Sequence, residues 1–528
     1  MSTEPQTFEK LWTPRFNPWL IGVTVSLAAF MEVLDSSIAN VALPHIAGGL
    51  AASNDESTWV LTSYLVSNAI VLPLSGFLVA MFGRKRFFLS CIFLFTLSSF
   101  LCGMATSLGL LLLFRVMQGA FGGGLQPMAQ SILADSFPPQ KRGLAFALYG
   151  VTAVCAPAIG PTLGGWLTDN YSWRWIFYVN VPVGALAFLL VQMLVDDPPY
   201  LKNLKKAAAR FDYVGFSLLA IGVSALQIAL DKGQEDDWFG SMFITSLVVI
   251  AVVGLIAMII WEWSQEHPVV DVRLFKKFNF ATSSIMFFVV GMILFSGTVL
   301  MPQFLQTLMG YTAQDAGLVL SVAALVLLVL LGFVGKLTTI FQARHLIALG
   351  WAGLAVGMYV SCRWVDLQVS FASATWVRIL QYWSMGFLFV PLTLAAYVGL
   401  TPAETNSASG LMNFMRNIGQ SVGTSAVTTL LARRSQYHQS VLAEFTSSGR
   451  FDGTIQAVTA QLSRAGLSVY DAERQAIGRV YALVQAQAAT LAYVDVYWLL
   501  AVFSAAMLLC SFLLKANKPG KSEGVSVH

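Results

Sequence analysis

Apolar stretches of about 20 residues recur along almost the whole of this chain, each long enough to carry an α-helix across a hydrocarbon core of about 30 Å. Lipid offers the backbone no hydrogen-bond partners, so a chain patterned in this way has to fold as a bundle of spanning helices. The composition agrees: 56% of the residues are hydrophobic and only 11% are charged, against roughly 25% charged in soluble domains. The five cysteines, Cys91, Cys102, Cys155, Cys362 and Cys510, fall inside such stretches without CxxC spacing and read as small core residues, not a metal site. Met1 to Pro18 leads into an apolar run through Asp35 to Pro44 with no convincing cleavage site, so an uncleaved first helix is expected.

Spans are expected near 19–44, 57–81, 87–106, 108–134, 143–168 and 175–195, then 212–231 and 241–262, then 280–305, 313–335, 345–364, 372–399, 407–431 and 493–514. Fourteen alternating spans leave both termini on one side. With that side cytoplasmic, it collects 19 cations: Lys10, Arg15, Arg84, Lys85, Arg86, Lys141, Arg142, Lys202, Lys205, Lys206, Arg210, Arg273, Lys276, Lys277, Lys336, Arg344, Lys515, Lys518 and Lys521. The short outer loops keep only Arg174, Lys232 and Arg363, and six more cations lie in one long outer segment, which the positive-inside rule discounts. The net charge of +4 is spread over short loops, so nucleic acid is not an expected partner.

Arg115-Val-Met-Gln118, followed by Pro127 and Pro139, recurs as Arg378-Ile-Leu-Gln381, followed by Pro391 and Pro402; Arg, Gln and the later Pro share an offset of 263. The chain therefore reads as a six-helix bundle over 1–195, a linker with an extra helical hairpin over 196–278, and a second bundle over 279–528. The outer segment 432–490 is the one sizeable polar stretch. Ile477, Val480, Tyr481, Val484, Ala488 and Leu491 at helical spacing suggest that the last helix extends outward as an amphipathic stalk, which could dock a partner or pack on itself as a cap.

Several motifs carry a resemblance. Leu34-Asp-Ser-Ser-Ile-Ala-Asn-Val-Ala-Leu-Pro44, Arg115-x-x-Gln-Gly119, Ala156-Pro-Ala-Ile-Gly-Pro-Thr-Leu-Gly-Gly165, Trp173-Arg-Trp-Ile-Phe and Asn180-Val-Pro182 follow one another in this order. Together they resemble the fourteen-helix drug:proton antiporters of the major facilitator superfamily, and within them the Emr-type multidrug exporter subunits. The resemblance covers nearly the whole chain. It implies an all-α major facilitator fold in a bacterial inner membrane, efflux of amphipathic compounds driven by a proton gradient without a cofactor, and partners of two kinds. These are a periplasmic membrane-fusion adaptor and an outer-membrane channel of the TolC kind. The inner-loop motif Gly76, Gly83, Arg84 and Lys85 is matched, but Ala80 and Met81 stand where the superfamily usually has Asp and Arg, which puts its charge lock in question.

A carboxylate inside hydrocarbon is costly and marks function, which singles out Asp35 and also Glu32 as proton-coupling candidates. Glu32, Asp35, Ser36 and Asn40 form one polar stripe on the first helix, expected to line an aqueous cavity, although Glu32 could be a solvated wall. Counting about 1.5 Å per residue, Asp35 lies about 8 Å and Arg115 about 10 Å below the outer boundary, so the two can meet. Proton entry would then neutralise Asp35, free Arg115 and let the bundles rock; a tether from Arg115 to backbone carbonyls is the competing reading. Arg378 repeats Arg115, yet span 280–305 holds no acid. Arg378 and Arg416, with Gln118, Gln381, Asn413 and Gln420 as hydrogen-bonding neighbours, are therefore candidates for a substrate cavity favouring weak acids, or else for backbone capture. Gly160, Pro161, Gly164 and Gly165 would permit a kink and close helix approach, as gating or as plain packing.

A membrane-embedded enzyme is disfavoured, because His45, His267, His345, His438 and His528 show no HExxH spacing, and no GxxxxGK[ST] loop points to ATP. A passive facilitator and a proton symporter remain as alternatives. The glycine-proline motif is the one sequence argument against uptake.

Overall fold

The computed structural model describes residues 14–198, 211–266, 268–401, 404–445 and 452–515. Lys10, Lys202, Lys205, Lys206, Arg210, His267, Pro402, Lys518, Lys521 and His528 lie outside the described residues.

Every regular element among the described residues is helical. The first half contains α1 (Pro18–Gly49), α2 (Asn54–Phe82), α3 (Arg84–Met104), α4 (Leu108–Gly122), α5 (Leu125–Ser136), α6 (Arg142–Asn170), α7 (Trp175–Tyr178) and α8 (Asn180–Leu194). A hairpin follows, α9 (Tyr213–Lys232) and α10 (Met242–Ser264). The second half contains α11 (Phe278–Thr307), α12 (Ala313–Leu337), α13 (Ala343–Trp364), α14 (Phe371–Ala396), α15 (Thr405–Phe445), α16 (Asp452–Arg464) and α17 (Val469–Ser511).

Among the described residues thirteen spans are long and apolar enough to cross a membrane, with α4 and α5 forming one and α7 and α8 another. The remaining expected span, 407–431, falls on α15, which packs against α2, α11 and α17 but whose polar residues keep it from qualifying on hydropathy. At the extremes, hydropathy and burial run in opposite directions. In α10 the most apolar window has a mean hydropathy of 3.0 and is only 22% buried, whereas in α14 the values are 1.4 and 78%. Lipid is the apolar phase here, so the greasiest helix faces outward and polar side chains gather within the bundle.

Helix starts are set by local chemistry. Ser53 and Glu56 form a reciprocal capping box at α2, and Ser107, Thr312, Ser370 and Ser468 accept from the first turns of α4, α12, α14 and α17. All these caps lie at the end away from Arg84, Lys85 and Lys277, called here the stalk end; the other is the basic end.

The two halves meet along a seam of α2 with α15, α6 with α12, and α5 with α15. A Cβ on Gly76 would lie 2.7 Å from the Ser407 Cα, and one on Gly143 2.9 Å from the Gly335 carbonyl, so the halves touch backbone to backbone near the basic end. The hairpin straddles the seam: Gln227 Nε2 donates to Asn417 Oδ1 of α15 at 3.1 Å, Lys232 Nζ to Thr58 Oγ1 of α2 at 2.6 Å, and Thr62 of α2 donates to Asp231.

The last helix is continuous from Val469, as the stalk expectation required. Its buried stripe is Ala472, Ala476, Val480 and Ala488, while Ile477 and Tyr481 are exposed. Small residues at i, i+4 let α16 and α15 approach closely; of the expected stripe Val480 and Ala488 are buried, Val484 and Leu491 half-buried, and only Ile477 and Tyr481 point outward.

Candidate functional site

Asp35 is 1% exposed and sits in the middle of the first half. Arg115 Nη1 donates to its Oδ2 at 2.6 Å, and Gln118 Nε2 and Asn180 Nδ2 donate to its Oδ1 at 2.8 and 2.6 Å. Four elements converge on one carboxylate: α1 carries it, α4 supplies Arg and Gln one turn apart, α8 supplies Asn180 at its first residue, and α2 supplies the Val60 carbonyl that accepts from Arg115 Nε at 3.0 Å. Gln118 Oε1 in turn accepts from Arg115 Nη1 at 2.9 Å, and Asn180 Nδ2 also donates to Ser99 Oγ at 3.0 Å. The guanidinium lies over the Tyr64 ring, 4.3 Å from its centroid, and 5.6 Å from that of Phe177. A desolvated stack of this kind is worth about 2 kcal/mol. Carboxylate and guanidinium are thus paired and oriented; removing either partner would leave a buried charge at a cost of about 3–5 kcal/mol. Arg115 thus contacts both the acid and a backbone carbonyl.

Glu32, one turn along α1, belongs to a second network that reaches the seam. Its Oε1 accepts from Tyr64 Oη and Asn68 Nδ2, each at 3.1 Å, and its Oε2 from Gln126 Nε2. Gln126 Oε1 accepts from Tyr149 Oη at 2.9 Å and from Arg416 of α15, in the other half. Asn413 Nδ2 crosses the same seam to Gln130 Oε1 at 2.8 Å. The polar stripe therefore divides: Glu32 and Asp35 are enclosed by protein, Ser36 turns back onto Val33 O at 2.9 Å, and Asn40 is exposed. Half-buried Gln420 stands one turn beyond Arg416, its backbone against Gly291 of α11.

The repeat is visible in three dimensions. Arg378 Nη1 donates to Gln381 Oε1 at 2.7 Å and its guanidinium stacks on Tyr382 at 4.4 Å, as Arg115 does with Gln118 and Tyr64. Gln118 and Gln381 thus lie inside their own halves, each beside its arginine, while Asn413 and Arg416 lie at the seam. Arg378 is 1% exposed and its recorded partners are neutral: Gln381, Tyr382 and Thr298.

In α6, a Cβ on Gly160 would lie 2.6 Å from Ser37 Cβ, and one on Gly164 3.1 Å from Ile38 Cγ2, whereas Gly165 has nothing within 4 Å. Pro157 and Pro161 both lie inside this helix, and Ser37 Oγ donates to the freed Pro157 carbonyl at 3.4 Å. At the basic end Gly83 turns the chain with φ of 88°, in the left-handed region that glycine tolerates. Arg84 Nη2 pairs with Asp135 Oδ2 at 2.6 Å, and Lys85 reaches Gln192 O at 2.7 Å. A buried charge pair therefore persists at this end despite Ala80 and Met81. Lys277 Nζ binds Glu404 Oε2 at 2.6 Å. Burial alone would raise the Glu404 carboxyl, but hydrogen bonds from Lys277 and Thr401 outweigh it and leave the group below its ordinary value.

Asn180, Tyr64, Gln126, Asn68 and Asp135 were not singled out from sequence as site residues. Asn180 and Gln126 carried a signal, as amides inside apolar spans; Tyr64 carried none.

The family model of the Major Facilitator Superfamily matches residues 25–424. The chain belongs to that superfamily. As a superfamily member it is a multi-pass membrane transporter. It is 37% identical over 480 residues to the multidrug export protein EmrB of Escherichia coli, covering 91% of this chain and 92% of that one. Similarity to the fatty acid resistance protein FarB of Neisseria gonorrhoeae is also 37%, over 85% of this chain and 87% of FarB. Among solved structures the human organic anion transporter MFSD10 aligns with a TM-score of 0.57 at 14% identity, over 95% of this chain and 100% of that one. A double-Trp mutant of XylE aligns with a TM-score of 0.58 at 14% identity, over 96% and 97%. These two speak for the fold of the superfamily.

Proposed function

We propose that this superfamily member is a proton-driven export permease for small amphipathic compounds, with its basic end in the cytoplasm of a bacterial cell and its stalk end in the periplasm. The observation that carries the reading is the ion pair of Asp35 with Arg115, enclosed in protein and fixed by Gln118 and Asn180. A proton added to Asp35 cancels the carboxylate and leaves Arg115 with the Val60 carbonyl, Gln118 Oε1 and two aromatic faces, so binding and losing a proton redistributes charge inside the first half. A potential of about 100 mV supplies roughly 2.3 kcal/mol for each proton that crosses.

Export, not uptake, is supported by relatives named for multidrug export and by the crowded α1–α6 contact at Gly160. The name of FarB supports acidic amphiphiles among the substrates, and positive charge at the seam (Arg416) and deeper (Arg378) suits them. Candidate substrate contacts are Arg416, Asn413 and Gln420 at the seam, with Arg378, Gln118 and Gln381 within the halves. An adaptor and a TolC-like channel would receive the substrate beside the stalk.

The test is simultaneous measurement of proton and dodecanoate fluxes in proteoliposomes. Asp35→Asn is expected to abolish uphill export while allowing downhill movement. Full proton-coupled export by that variant would reject the reading, and wild-type export that persists after an uncoupler collapses the gradient would favour a passive facilitator.

A further inference from the structure

The Asp35 and Glu32 networks share one side chain. Tyr64 of α2 is 1% exposed; its hydroxyl donates to Glu32 at 3.1 Å, and its ring lies under the guanidinium that holds Asp35. Among the described residues it alone bonds Glu32 and stacks on Arg115. The backbone and the hydroxyl of Tyr64 are also packed against α4, the helix that carries Arg115 and Gln118. A Cβ on Gly119 would lie 3.0 Å from the Tyr64 carbonyl carbon, and one on Gly122 3.0 Å from its hydroxyl. Tyr64 therefore cannot shift without moving α4 or uncovering the guanidinium. On its other side, Glu32 is linked through Gln126 to Arg416 of the second half, so separating the halves, or a substrate taking Arg416, withdraws one support from the Glu32 carboxylate.

We infer that Tyr64 is a positioning residue that transmits the state of the seam, read at Glu32, to the Asp35–Arg115 pair. The hydroxyl follows Glu32, the ring follows the hydroxyl, and the face offered to Arg115 follows the ring. A purely structural tyrosine would need the ring but not the bond to Glu32. This inference rests on the proton-exchange reading, and its test separates the two.

Full-length protein in proteoliposomes is assayed for the proton-to-substrate ratio, with dodecanoate and ethidium as probes. Tyr64→Phe keeps the ring and deletes the hydroxyl. Substrate is expected still to move, while the ratio falls about fivefold, or about 1 kcal/mol at 1.4 kcal/mol per tenfold. Glu32→Gln, which removes the charged acceptor, is expected to lower the ratio similarly, and adding Tyr64→Phe to it to change nothing further. An unchanged ratio in Tyr64→Phe, or two effects that multiply, overturns the inference. If Tyr64→Phe does not reach the membrane, Glu32→Gln decides, an unchanged ratio again overturning it. Asp35→Asn run alongside tells the readings apart: retained coupling sinks both, whereas coupling lost in Asp35→Asn and kept in Tyr64→Phe sinks only the role of Tyr64.

Discussion

Arg378 donates Nη2 to the hydroxyl of Thr298 at 2.9 Å. Thr298 is 263 residues beyond Asp35, the same offset that separates Arg378 from Arg115, so one half of the molecule pairs its buried arginine with an acid and the other with an alcohol. Only the first can exchange a proton there; the second keeps an arginine with neutral partners.

That asymmetry predicts substrate charge. Thr298→Asp would give Arg378 a carboxylate of its own, and an acidic substrate would then compete with it. Export of dodecanoate is expected to fall about tenfold relative to ethidium, corresponding to about 1.4 kcal/mol. Equal export of the two relative to wild type would remove Arg378 from substrate selection.

Stability should reveal the Asp35–Arg115 pair independently of transport. Arg115→Gln leaves Asp35 buried without its cation, at a cost of about 3–5 kcal/mol, while the double variant Asp35→Asn, Arg115→Gln has no charge to strand. Thermal unfolding in detergent should place the double variant above Arg115→Gln. The opposite order would mean that the pair is not buried as described.

The motif glycines of α6 should differ sharply. Gly160→Ala would press on Ser37 and force α1 from α6, whereas a Cβ on half-buried Gly165 would meet nothing within 4 Å. Gly160→Ala is expected to lose most export, and Gly165→Ala to remain within about twofold of wild type, since a surface alanine changes stability by about 0.5 kcal/mol or less. Equal behaviour would argue against close packing as the reason for glycine at position 160.

The basic end carries a pH dependence of its own. Glu404 titrates below its ordinary value of 4.5 when folded, so its contribution to stability is present above that value and is lost as pH falls through the lower folded one. The difference in melting temperature between wild type and Glu404→Gln should therefore hold steady from neutral pH to about pH 5.5 and shrink below about pH 4.5. A gap that widens in acid would contradict the Lys277–Glu404 contact.

Much of this was legible from residue types. Apolar length marked the spans, the cost of a buried acid marked Asp35, and the offset of 263 marked Arg115 and Arg378 as counterparts; that each donates to the glutamine three residues on emerged only in the structure. What could not be read was which side chains meet across helices. Gln126 and Tyr64 carry no charge, so nothing in the chain order signals that one reaches Arg416 and the other lies between the Glu32 carboxylate and the Arg115 guanidinium. The span expected at 407–431 is α15, which can carry Asn406, Asn413 and Arg416 because they lie buried within the bundle, where a lipid-facing helix could not hold them. Glu32 was expected beside water because polar spacing reveals a face but not what covers it.

The lengths of α15 and α17, 41 and 43 residues, have a mechanical consequence. Each spans about 60 Å, roughly twice the hydrocarbon thickness, so about 30 Å of each projects past the bilayer. His438 and Arg434 both hold Asp495 where the two rods leave the membrane, and Gln439 reaches Tyr481 beyond it. Because α15 also lines the seam, a tilt of about 10° there would sweep the far tip through about 5 Å, making the projecting rods a lever that amplifies a small rotation inside the bilayer.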